Sequence, residues 1–125
     1  MKKQTILLID DDPDDAEIFS EAIKSLNQDI EIEIYNNSLT ALDNLKSSAT
    51  LPDFIFLDMQ MPHLNGNQFL DEIANTHNLA NITVVIYSSY SQASLYELVI
   101  STRKVILLTK PNSMGELIQN LKTIL

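Results

Sequence analysis

The sequence contains no cysteine. Disulfides and thiolate metal sites are thereby excluded, and the composition fits the reducing cytosol. Positive charge is scarce as well: 8 lysines and arginines stand against 17 aspartates and glutamates, for a formal net charge of −9. A chain so poor in basic residues is not expected to bind nucleic acid, whose phosphates demand a basic surface. The balance favours a cation or a basic patch on a partner. No apolar run approaches the roughly 20 residues that span a bilayer. The four aliphatic residues after the N-terminal lysines are too few for a signal peptide. These absences predict a soluble cytoplasmic protein without membrane contact. At 125 residues the chain has the length of one ordinary domain, large enough for a core without staples. No linker or low-complexity tract divides residues 1–125, and KSSAT at 46–50 reads as a short polar loop.

What is present is an alternation. Short apolar runs recur at Ile6–Ile9, Ile30–Tyr35, Phe54–Leu57, Ile82–Tyr87 and Val105–Leu108, each followed by a segment with helical spacing. Ala16, Phe19, Ala22, Ile23 and Leu26 share one helical face after the first run. Leu39, Leu42 and Leu45 follow the second, Phe69, Leu70 and Ile73 the third, Leu95, Leu98 and Val99 the fourth. Leu117, Ile118, Leu121 and Leu125 follow the fifth, after a capping box from Ser113 to Glu116. Five repeats of strand and helix predict an α/β fold, a doubly wound flavodoxin-like parallel sheet with helices on both faces. The runs at 6–9, 54–57 and 105–108 are continuously aliphatic, as in strands buried on both faces. IEIEIY at 30–35 alternates strictly and belongs at an edge, which agrees with strand order 2-1-3-4-5.

In such a sheet ligands bind beyond the carboxyl ends of the strands, where strand order reverses. The strand-end residues are therefore the candidates. The first run ends in Asp10 and Asp11, the third in Asp58, the fourth in Ser88 and Ser89, and the fifth leads to Lys110. The stretch DDDPDD, five aspartates within six positions, would repel itself unless its members do different jobs. Asp12 precedes Pro13 and reads as a helix N-cap. Asp14 and Asp15 read as first-turn acids favoured by the helix dipole. Asp10, Asp11 and Asp58 then converge with one lysine to offset them, a set that a hard divalent cation such as Mg²⁺ would relieve. With it in place, Asp58 has the chemistry of a nucleophile toward a phosphoryl group, with Lys110 and Ser88 available to the transferred oxygens.

These residues in this order resemble the receiver domain of two-component response regulators, chemotaxis-receiver-like in form. The resemblance runs the length of the chain through ILLIDDD, FLDMQMPHLNG at 56–66, VIYSS at 85–89 and TKP at 109–111. It implies that Asp58 accepts a phosphoryl group from a histidine kinase or a histidine phosphotransfer protein in a Mg²⁺-dependent reaction and that the domain then changes its binding of a downstream protein. It implies Asp11 as a direct metal ligand, Asp10 as one acting mainly through water, and Gln60 as the donor of a backbone carbonyl. Ser88 matches the switch hydroxyl, Lys110 the family's lysine, and Pro62 and Gly66 the turn after the phosphoacceptor. The face formed by the fourth helical segment, the fifth strand and the last segment is the implied surface for a homodimer. Three positions depart from the pattern: Leu107 replaces the usual aromatic, Asn112 a common phenylalanine, and Arg103 with Lys104 a small pair. Leucine at 107 predicts a smaller response of that face. The resemblance implies that the approach of hydrolytic water is bordered by Gln60 and Tyr90; neither is a good general base near neutral pH, which predicts slow self-dephosphorylation.

Other readings compete. A Mg²⁺-dependent phosphatase with an aspartate nucleophile commonly has a second acid where Gln60 stands, and an amide cannot serve. A flavodoxin-like nucleotide binder needs a glycine- or hydroxyl-rich loop after the first strand, and DDDPDD is the opposite. A receiver-shaped interaction scaffold that takes no phosphate remains the alternative, against which stand Asp58, Ser88 and Lys110. His63 and His77 lack metal-spaced partners and read as loop and helix-end residues. Met59 and Met61 read as packing, Ser89 as a small access residue, and Tyr90 as either a surface aromatic or a gate.

Overall fold

The computed structural model describes residues 4–26, 29–48, 50–58, 66–76, 79, 82–88, 105–111 and 113–125, with the backbone alone for Gly66, Asn67, Ala74, Ser88, Val105 and Leu107. The expected helix through Leu95, Leu98 and Val99 lies outside these residues. So do Met59, Gln60, Met61, Pro62, His63, His77, Ser89, Tyr90, Arg103, Lys104 and Asn112.

Five strands form one parallel sheet: β1 (Gln4–Ile9), β2 (Ile30–Tyr35), β3 (Phe54–Leu57), β4 (Thr83–Ser88) and β5 (Val105–Thr109). Their order is β2-β1-β3-β4-β5, as the alternation of apolar runs predicts. Four helices are described: α1 (Pro13–Ser25), α2 (Ser38–Ser47), α3 (Gly66–Ala74) and a C-terminal helix (Met114–Ile124).

Side chains alternate across a strand, so each interior strand feeds two cores. Leu7, Ile9, Ile55, Leu57, Val84 and Ile86 point one way and pack with α2 and α3 through residues such as Leu42, Leu45, Phe69 and Ile73. Ile6, Leu8, Phe56, Val85, Tyr87 and Leu108 point the other way, against α1 and the C-terminal helix. The Phe19 ring from α1 meets Phe56 edge-on, with centroids 4.8 Å apart, and Tyr87 at 5.5 Å. β2 lies at the edge, and its alternation is reflected in burial except at Ile34, which is exposed near the carboxyl end. Ile30 and Ile32 are half-buried against the α1 side, while Glu31 and Glu33 face solvent.

Helix starts are fixed by short polar side chains. Asp12 caps α1 by accepting from the Asp14 and Asp15 N–H groups, and Pro13 opens the first turn. Asn37 caps α2 through the N–H groups of Leu39 and Thr40. Ser113 caps the C-terminal helix through the Glu116 N–H at 3.2 Å. In one place the helix runs further than the sequence suggests. Lys46 and Ser47 belong to α2 rather than to a polar loop: Ser47 Oγ donates to the Asp43 carbonyl and Lys46 Nζ pairs with Glu72 Oε2, both at 3.0 Å. Local composition suits a loop there, but Lys46 also complements the helix C-terminus and the buried Leu45 holds the last turn on the core.

Phe19 is fully buried and joins α1 to the sheet. Phe19→Ala is expected to cost about 3–5 kcal/mol in urea denaturation, from lost transfer energy plus the cavity left behind. A loss below about 1 kcal/mol, typical of surface positions, would contradict this packing.

Candidate functional site

The ladder register determines what meets at the carboxyl edge. Ile9 is level with Leu57, Leu57 with Ile86, and Ile86 with Leu107. Asp10 and Asp58 therefore leave the sheet side by side, anchored by the Asp58 N–H to the Ile9 carbonyl and the Asp10 N–H to the Tyr35 carbonyl, each at 3.0 Å. β4 and β5 run on to the Ser88–Thr109 pair before Lys110. Asp10, Asp58 and Lys110 each lie two residues beyond a side chain of the α1-side core, namely Leu8, Phe56 and Leu108. That parity puts all three on the side of the sheet that α1 covers.

Asp10 is 1% exposed and Asp58 7%. Asp11 is exposed at the rim. Each of the three carboxylates offers one oxygen, and these oxygens lie within 4.8 Å of one another. The Lys110 ammonium reaches into the cluster, 3.1 Å from Asp10 Oδ2 and 3.6 Å from Asp58 Oδ2. Asp10 has both oxygens engaged, since Oδ1 accepts from the Asp12 N–H at 2.9 Å. The shortest contact is to Asp15, whose Oδ2 lies 2.7 Å from Lys110 Nζ. Asp15 was expected only to complement the helix dipole; it is also the closest carboxylate partner of the lysine. The sequence does contain a signal for this: Asp15 lies on the helical stripe of Phe19, Ala22 and Leu26, all buried.

Partial burial lowers the Lys110 pKa, but the hydrogen bond it donates to Asp15 and the charges of Asp10 and Asp58 more than reverse that, leaving it raised. The ammonium also sits 5.3 Å from the centroid of the Tyr87 ring. Burial pushes the Tyr87 phenol up to about 12; the lysine opposes that shift and the acids add to it. Tyr87 is thus a neutral wall at physiological pH.

Four carboxylates and one ammonium leave a strong local excess of negative charge. The donor set of Asp10, Asp11 and Asp58 is all oxygen and anionic, and it suits a hard divalent cation of the Mg²⁺ or Mn²⁺ kind. An open cleft beside it, between the start of α1 and the end of β2, is lined by Asp10, Asp11, Pro13 and Tyr35. Asp10, Asp11, Asp58 and Lys110 thus come together as their strand-end positions predict. Ser88 closes β4, while the Gln60 carbonyl lies outside the described residues.

The profile of the response regulator receiver domain matches residues 6–122. A homolog of the transcriptional regulatory protein CpxR from Haemophilus influenzae is 32% identical over 120 residues, 96% of this chain and 49% of that protein. The curated relatives are longer: the chain spans between 10% and 62% of their lengths. Among solved structures, the phosphorylated cyanobacterial phytochrome response regulator RcpA superposes with a TM-score of 0.87 at 24% identity, covering 98% of this chain and 91% of that one. The Mn²⁺-bound form of response regulator Rcp1 gives 0.83 at 25% identity, covering 97% and 91%.

Removing Lys110 would leave Asp10 and Asp58 without their cation. Lys110→Met is expected to destabilise the metal-free protein by about 3–5 kcal/mol at pH 7, as urea denaturation would show. A loss below about 1 kcal/mol would mean that solvent screens these charges.

Proposed function

The chain belongs to the response regulator receiver domain family, and from that we propose that residues 1–125 are a phosphoacceptor signalling domain in which Asp58 takes a phosphoryl group from a phosphohistidine. The observation that carries this reading is the placement of the 7%-exposed Asp58 carboxylate beside the acids of β1 and 3.6 Å from the Lys110 ammonium. A carboxylate held there is shielded from bulk water yet set where transferred charge would be stabilised.

In the proposed reaction an Asp58 oxygen attacks phosphorus in line with the imidazole nitrogen of the donor histidine. The O–P bond forms as the P–N bond breaks, and the electron pair of that bond leaves with the imidazole. Asp10, Asp11, Asp58 and the Gln60 backbone carbonyl are the residues that would hold Mg²⁺. When bound, the metal supplies positive charge against the phosphoryl oxygens. Lys110 would contribute a further positive charge to those oxygens, and the Ser88 hydroxyl a hydrogen bond to the group once attached. The phosphodonor is a histidine kinase or a histidine phosphotransfer protein, and the acquired charge alters binding of a downstream protein. The chain acts as a signalling module rather than as an enzyme with a diffusing substrate. Its proposed place of action is the cytoplasm. No described helix is long and apolar enough to cross a membrane.

Incubation with acetyl phosphate and Mg²⁺ should add one phosphoryl group by intact mass, with no gain for Asp58→Asn or after chelation. Equal labelling of the wild type and the Asn variant would reject Asp58 as the acceptor.

The metal site has its own test. Asp11→Asn should raise the melting temperature in metal-free buffer by relieving repulsion. It should also diminish stabilisation by Mg²⁺, which at a hundredfold excess over Kd is about 2.7 kcal/mol for a site that binds only the native state. Unchanged values for both would remove Asp11 from the metal site.

A further inference from the structure

The Lys110 ammonium has three hydrogens and three carboxylates around it, and its position among them is unequal. It is 2.7 Å from Asp15, 3.1 Å from Asp10 and 3.6 Å from Asp58. The contact to the proposed phosphoacceptor is thus the longest, and the hydrogen bonds go to Asp10 and Asp15. Asp15 differs from the other two acids in origin and setting. It projects from the first turn of α1, its side chain is 34% exposed, and it lies outside the group of three carboxylates that suits a metal.

We propose that Asp15 is a positioning residue that holds Lys110 toward α1 in the unmodified site and competes with phosphoryl oxygens on Asp58 for the same ammonium. This rests on the reading of Asp58 as phosphoacceptor. An acyl phosphate on Asp58 carries up to two negative charges where the carboxylate carried one, and its oxygens reach further toward an ammonium already shared by three carboxylates. The ammonium reorients toward those oxygens, and Asp15 loses part or all of its 2.7 Å contact. Because the Asp15 contact must be surrendered, it opposes the phosphorylated state and sets how strongly that state is favoured. The neighbouring acid has no such role. Asp14 lies on the stripe of Ile18, Glu21 and Ser25, all exposed, away from Lys110.

Beryllofluoride with saturating Mg²⁺ mimics the phosphoryl group and tests this on the full chain by titration calorimetry. Asp15→Asn removes the charge and keeps the shape. Asp15→Ser is a second neutral side chain suited to a first helical turn, so a folded variant is available if either one proves unstable. The neutral variants should bind beryllofluoride about three- to tenfold more tightly than the wild type, the range expected for releasing one partly exposed charge-assisted hydrogen bond. Asp15→Glu, which restores the carboxylate, should return toward wild-type affinity. Asp14→Asn changes the net charge equally on the same turn and should shift affinity by no more than about twofold. Unchanged affinity in folded neutral variants would overturn the proposal. So would an equal gain in Asp14→Asn, which would assign the effect to overall charge. Failure of the wild type itself to bind beryllofluoride would instead reject the phosphoacceptor reading on which the proposal rests.

Discussion

One ammonium is shared among carboxylates drawn from three parts of the chain, and the carboxyl edge of the sheet is organised around it. Two carboxylates about 4 Å apart repel by roughly 4 kcal/mol at an effective dielectric near 20. Asp10 and Asp58 are both buried, and Asp11 adds a third charge at the rim. Lys110 makes this arrangement tolerable, and it reaches the cluster because β4 and β5 extend beyond the level at which β1 and β3 stop. The ladder register is therefore an electrostatic requirement as well as a packing one. A slip of one residue would send a strand-end side chain to the opposite face and leave its charge unpaired.

α1 couples this edge to the core. Its inward stripe begins with Asp15 at Lys110 and continues through Phe19, which packs on Phe56 and Tyr87. Tyr87 in turn presents its ring to the ammonium. Charge and aromatic packing thus meet in one layer, so a displacement of Lys110 is felt by side chains that also hold α1 on the sheet. The α2 and α3 side has a different composition: its core cluster is aliphatic apart from Phe69 and a partly buried Tyr35 packed against it. Among the described residues, that side takes no part in the ion pairs around Lys110.

Much of this was legible in the sequence, for reasons that can be named. The aliphatic runs at 6–9 and 54–57 read as interior strands because both faces must be apolar, and the alternation of IEIEIY identifies an edge. Once strand order is known, the residue ending each strand is known, so Asp10, Asp58 and Lys110 follow from topology. Asp15 was missed because a local explanation sufficed: an acid in a first helical turn is favourable without any partner. Its contact spans 95 positions of sequence; its place on the stripe of Phe19, Ala22 and Leu26 marks it as inward-facing but does not identify Lys110 as the partner. The extension of α2 through Ser47 was hidden behind a polar stretch whose composition suits a loop as well as a last helical turn.

The exposed glutamates of β2 bear on how copies of this chain behave when concentrated. An edge strand presents unpaired backbone groups that invite a second strand to add to the sheet. Here a like edge brought alongside would place Glu31 and Glu33 among the same residues of another molecule, and their mutual repulsion opposes the growth of a continuous intermolecular sheet. The alternation that marks the strand as peripheral thus also guards it against polymerisation, most effectively at low ionic strength, where charges on neighbouring molecules are least screened.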